Sequence, residues 1–138
     1  MPKPRAFSER TLPLFTADEA PALSHKPDKL PSYIKDHRKR LRDRFLQGGA
    51  QAVPDYELLE LVLFRAIPRQ DVKPLARRLL DTFGDFNRVV SAPIARLTEV
   101  EGAGPAVITE LKIVEAAAHR LARARVLKRH VVSSWEAL

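Results

Sequence analysis

An all-α fold, a compact multi-helix domain, is predicted for this chain by three observations. Apolar residues recur at helical spacing through the middle and later part of the chain, Pro, Gly, Ser and Asp punctuate the runs, and no strand-rich region interrupts them. Its 138 residues suffice for one domain and a tail.

The elements follow in order. Residues 1–31 hold six of the eleven prolines and show no period, which predicts a disordered proline-rich arm. After Pro31, Ser32 is placed to N-cap a helix from about Tyr33 to Gln47, stopped by Gly48-Gly49. On it Ile34, Leu41 and Phe45 share one side, and Lys35, Arg38, Lys39 and Arg42 another. A second helix starts near Pro54-Asp55 and ends at Pro68. It is apolar on nearly all sides (Leu58, Leu59, Leu61 to Phe64) and is therefore expected at the centre of the core. Asp71 caps a third helix that tolerates Pro74 in its first turn, buries Leu75, Leu79, Leu80 and Phe83, and stops at Gly84. Asp85 to Val90 forms a short fourth, and Ser91-Ala92-Pro93 opens a fifth that reaches about Thr98. Pro105 launches the longest helix, to about Lys128, with Val107, Leu111, Val114, Ala118 and Leu121 as its apolar face. The β-branched stretch 130–135 is predicted to be extended. The division is thus a 1–31 arm, a 32–129 helical domain and a 130–138 extended linker.

Composition excludes several classes of function. Cysteine is absent, which removes disulfides, thiolate metal sites and cysteine nucleophiles and suits a reducing cytoplasm. No apolar run approaches the roughly 20 residues of a membrane span, and the first 25 residues lack a secretory h-region. Cytoplasmic residence and no membrane partner are expected. Net charge is +7, and it is unevenly placed. Residues 33–50 carry six bases against two acids, and no acid falls between Ala116 and Trp135, where Arg120, Arg123, Arg125, Lys128 and Arg129 lie. Two basic helices bracketing a neutral middle favour a polyanionic partner, although such runs also serve as plain solvated faces.

The informative pattern is Leu97-x-x-Val100-x-Gly102-Ala103-Gly104-Pro105, between a short helix and a long one. It resembles the helix–hairpin–helix motif of SAM-like helical domains. Gly102 and Gly104 permit a sharp turn and close backbone approach. The segment Gly102, Ala103, Gly104, Pro105 and Ala106 opens a helix whose unpaired first amides lie at the positive end of its dipole, where a DNA phosphate can sit without any base being read. Lys112 lies further along. With Lys35, Arg38, Lys39, Arg42, Arg120, Arg123, Lys128 and Arg129 it completes the expected nucleic-acid-binding set. The same hairpin can also serve only to pack two helices. Ile108, where such motifs usually carry Ala, is a departure.

Enzyme readings lack their residues. Endonuclease III-type glycosylases resemble this pattern but place a Lys just after the hairpin glycines, where Pro105 and Ala106 stand here, and an Asp about twenty residues on, in a region that holds no acid here. His25, His37, His119 and His130 are scattered without metal-ligand spacing, and no Gly-rich loop ends in Gly-Lys-Ser/Thr. No catalytic residue, metal ligand or cofactor is expected in this chain, and His37 is expected to be a packed helix histidine.

His37-Arg38-Lys39-Arg40-Leu41-Arg42, the run Pro54 to Phe64, Ala66 to Ala76, the hairpin Gly102 to Pro105 and the closing Val132-Ser133-Ser134-Trp135 together resemble the N-terminal half of the RadC family, over roughly residues 33–138. That resemblance implies a helix–hairpin–helix domain associated with DNA repair. It implies that a JAB1/MPN-type metallopeptidase-like domain follows in longer members, with zinc on a His-x-His, an Asp and an upstream Glu, none of which can be placed here. The expected role is a non-catalytic DNA-binding module for duplex or branched DNA. The alternative is an interaction or regulatory module for that second half or another repair protein.

Overall fold

The computed structural model describes residues 29–136, and every regular element among them is helical. The predicted arm therefore lies, apart from its last three residues, outside the described residues, as does His25. The elements are α1 (Ser32–Gly48), a 3-10 turn (Ala50–Ala52), α2 (Asp55–Ala66), α3 (Lys73–Phe83), α4 (Phe86–Ser91), α5 (Ile94–Thr98) and α6 (Pro105–Glu136).

The order matches the sequence reading, and the caps differ in detail. Pro31, not Ser32, occupies the cap position of α1, and its carbonyl accepts from Ile34 N (3.0 Å) and Lys35 N (3.2 Å). Ser32 begins the helix instead. Gly49, at φ 73°, ends α1 with its amide on Phe45 O (2.9 Å), a conformation that side-chain-bearing residues adopt with difficulty. Val72 caps α3, and Asp71 supports it from one residue back by accepting from Lys73 N (3.0 Å). Asp85 N-caps α4 by accepting from Arg88 N (2.8 Å). Ser91 does not open α5; it closes α4, donating from Oγ to Asn87 O, and Pro93 takes the cap position of α5.

α2 is the hub, packing against α1, α3, α4 and α6. Leu59 and Leu63 are wholly buried on it, joined by Leu79 of α3, Val89 of α4, Leu97 of α5 and Leu111 of α6. Each buried side chain of this size stabilises the fold by about 1.5–3 kcal/mol through area removed from water. Ile34 and Leu41 carry the inner stripe of α1, as expected.

The largest departure concerns α6. The segment expected to be extended from residue 130 is helical to Glu136. β-branched Val131 and Val132 cost only tenths of a kcal/mol each in a helix already propagating, and no Pro or Gly occurs after Pro105 to stop it. At 32 residues α6 is about 48 Å long at ~1.5 Å per residue. Val107 and Leu111 are buried in the core and Val114 packs partly against it, but the apolar face does not stay buried as far as expected. Ala118 and Leu121 are exposed, because among the described residues no other element lies alongside α6 after Glu115. Among the described residues no helix is long and apolar enough to cross a membrane.

Candidate nucleic-acid interface

The turn between α5 and α6 is built by its glycines. The Leu97 and Val100 carbonyls receive the amides of Val100 (3.1 Å) and Ala103 (3.1 Å), and Ala103 tucks its methyl into the core. Gly102 sits at φ +90°, and a Cβ there would lie 3.3 Å from Arg78 Nη1 and 3.4 Å from Leu75 Cδ1. Arg78 of α3 donates to the Glu101 carbonyl and so pins the turn from outside. Gly104 differs: its φ lies outside the left-handed region and a Cβ would meet nothing within 4 Å.

The first helical bond of α6 runs from Ile108 N to Gly104 O (3.0 Å). The amides of Ala106 and Val107 precede it and have no acceptor within the helix, and Pro105 has no N–H to satisfy. Gly104, Pro105 and Ala106 are exposed, so this end of α6 faces solvent. The flanking charges balance. Glu99 and Glu101 are exposed beside Arg78 and Arg96, the last 3.9 Å from Glu99. Ile108, the departure from the motif, is half-buried and packs against the core without closing the open face.

Two of the cations assigned to a phosphate track serve the fold instead. Lys112 Nζ donates to Val90 O (3.1 Å), Ala92 O (2.5 Å) and Glu115 Oε2 (2.9 Å). Val90 lies in the last turn of six-residue α4 and Ala92 just after it, where carbonyls lack a helical partner, and this ammonium satisfies both. Arg38 is only 5% exposed. Its guanidinium donates to the carbonyls of Phe64 (3.4 Å), Ile67 (2.8 Å), Pro68 (3.1 Å) and Gln70 (2.6 Å), and lies 4.7 Å over the Phe64 ring. It therefore closes the C-terminal end of α2 and the loop to α3. Spacing on α1 placed Arg38 among the basic residues, but the carbonyls it meets lie about thirty residues away and left no local mark.

Lys35, Lys39 and Arg42 remain on the exposed side of α1, Lys39 beside Asp43 at 3.0 Å. Arg120, Arg123, Lys128 and Arg129 are exposed on the free part of α6. By helix rise Arg120 stands about 22 Å from the turn. The expected set thus falls into a turn, a basic face on α1 and a projecting basic rod. Among the described residues no three His, Asp or Glu side chains gather to hold a metal ion.

A buried carboxyl with a half-buried histidine partner escaped the sequence reading. Glu60, 1% exposed at the centre of α2, has Oε2 3.4 Å from His37 Nε2, while Glu60 Oε1 and Arg38 Nε are buried without a partner. His37 is a packed histidine, as expected, its ring edge-on to Phe64 at 6.4 Å. Burial pushes the Glu60 carboxyl above its ordinary value, against the pull of His37 and Lys73, and Asp71 adds to the rise. Burial also raises Tyr56, with Glu60 the next cause. A carboxyl whose folded value lies above its unfolded one contributes stability that is full below the unfolded value and lost as pH rises through the folded one. The contribution of Glu60 to stability is therefore expected to fall from about pH 4.5 upward in the parent protein. In Glu60→Gln that fall should flatten. A difference in denaturation midpoint between parent and variant that stays level or grows in the parent's favour over the same range would contradict the assignment.

A family model described as UPF0758 N-terminal matches residues 34–109, more than half of the chain. A UPF0758 protein of Ruegeria pomeroyi is 76% identical over 109 residues, which is 79% of this chain and 49% of that protein. A UPF0758 protein of Rhodobacter capsulatus is 76% identical over 98 residues, 71% of this chain and 46% of that protein. The chain spans about half the length of the curated relatives it matches. No solved structure matches it.

Proposed function

Because this chain belongs to the UPF0758 family, the RadC-like family, we propose that it is a non-catalytic nucleic-acid-binding module that holds duplex or branched DNA by its backbone phosphates without reading bases. The Leu97–Pro105 segment serves as a helix–hairpin–helix in this reading. The carrying observation is the open outer side of Gly104, beside first-turn amides of α6 that have no helical acceptor. The exposed cations of α1 and α6 extend the contact, and Arg38 and Lys112 take no part in it. DNA repair is the setting proposed for it, on the resemblance to the RadC family drawn from the sequence.

Neutralising about four to six phosphates gives a log–log salt slope near −4 to −5, with non-specific Kd on the order of 10⁻⁴–10⁻⁶ M. Gly104→Ala fits the open space and is expected to bind DNA like the parent. Gly104→Asp sets a carboxylate where the phosphate would lie and should weaken binding about tenfold or more. Fluorescence anisotropy with a labelled 20-mer duplex at low salt checks both. No affinity tighter than ~10⁻³ M, or equal affinity in the Ala and Asp variants, refutes the phosphate site.

A second reading, an interaction module for another protein or for the rest of a longer polypeptide, is favoured by one observation. The free part of α6 exposes Leu121, Val126, Leu127, Val131, Val132 and Trp135, more large apolar surface than phosphate binding uses.

A further inference from the structure

From Ala116 to Trp135 every α6 residue whose side chain is described is exposed. Two patterns coincide there. The stretch is free of acid and carries five cations. At 100° per residue, Ile113, Ala117, Leu121, Ala124, Val131 and Trp135 fall in a band about 80° wide. They recur in steps of three and four once Lys128, also inside the band, fills the gap from Ala124 to Val131; Arg120 lies at one edge and Arg125 beyond the other. Ile113, Leu121, Val131 and Trp135 are 55–80% exposed. Steps of three and four are the spacing by which helices pack lengthwise on one another.

The charge narrows what can cover this band. A second copy would set five cations against five with no acid between them, which opposes pairing. Nucleic acid would meet the cations and leave Leu121, Val131 and Trp135 unused. A helix with a leucine-type ridge edged by Asp or Glu would use both, with an acid facing Lys128 in mid-band. We propose that the Ile113–Trp135 band of α6 is the docking seam for an acidic amphipathic helix of a partner protein. This builds on the second reading above and does not require phosphate binding.

Trp135 is the only tryptophan and is 80% exposed, so its emission reports the seam directly. The full chain is titrated at 150 mM salt (about physiological) with a synthetic three-heptad peptide bearing Leu at the core positions and Glu beside them. A scrambled peptide of the same composition is the control. A saturable shift to shorter wavelength is expected, with Kd roughly 1–100 μM. The scramble, and the Leu121→Ser/Val131→Ser variant with the intended peptide, should each bind about tenfold more weakly or worse. Those two side chains touch no core, so the variant's melting point should equal the parent's.

No saturable shift, or equal shifts from both peptides, overturns the proposal. So does a shift that follows protein concentration alone with dimers in sedimentation, which makes a second copy the occupant. A shift with anionic vesicles or duplex DNA and none with the peptide assigns the band to lipid or phosphate and overturns it equally. Peptide binding that survives in Gly104→Asp while DNA binding is lost shows that the seam does not depend on the phosphate site at the turn.

Discussion

Arg38→Ala is expected to cost about 3–5 kcal/mol, because it removes several charge-assisted hydrogen bonds, each worth about 1.5–3 kcal/mol and not fully additive. Four carbonyls, those of Phe64, Ile67, Pro68 and Gln70, lose their donor at once, and the Phe64 ring loses the planar group above it. Each orphaned buried acceptor carries a penalty of about 1–3 kcal/mol where water cannot reach it. In a domain this small the thermal midpoint should drop by roughly 15 °C or more. Arg38→Lys keeps a charge but not the fork that spans several carbonyls, so it should recover only part of the loss. Arg42→Ala, one turn further on the exposed face, should change stability by no more than about 0.5 kcal/mol. Denaturant melts of the three variants check the assignment. A cost for Arg38→Ala comparable to that for Arg42→Ala would return Arg38 to the basic face.

Gly102→Val carries the second large effect. A branched side chain at φ +90° is strained whatever space surrounds it, and here its Cβ would press on Arg78 and Leu75. A loss of about 2–4 kcal/mol is expected. Gly104→Ala should be neutral or stabilise by up to about 1 kcal/mol, since the position is open and removing a glycine restricts the unfolded chain. Two glycines separated by one residue would then differ in sign, which a sequence pattern alone does not predict. Equal losses at both would mean that the turn needs Gly104 for its own shape, and the phosphate test at that position would lose its clean control.

Local signals carried most of the fold. Pro31, Gly49, Pro54, Gly84 and Pro105 punctuate the helices within a residue or two of where the sequence puts them, because these residues act through their own backbones. The core of α2 was legible for the same reason: its apolar run exceeds what one face can hold. Arg38, Lys112 and Glu60 were not legible. Each is decided by what another element presents to it: the loop after α2, the end of α4, and His37 across the α1–α2 contact. A charged residue reads as solvated until the orphan group that recruits it is known. The end of α6 failed for the opposite reason. The β-branched residues at 131–132 favour an extended chain locally, while the uninterrupted helix behind them decides the outcome.

With neither glycine nor proline from Ala106 to Leu138, the long helix is a stiff shaft rooted by Val107 and Leu111. Whatever grips its far end is therefore indexed, in azimuth as well as reach, by packing at the root. One residue inserted near Ala118 would twist the tip by about 100° and advance it by only ~1.5 Å, leaving composition and length almost untouched while throwing the two ends out of phase. Four inserted residues would nearly restore alignment, so function plotted against insertion length should oscillate rather than decay.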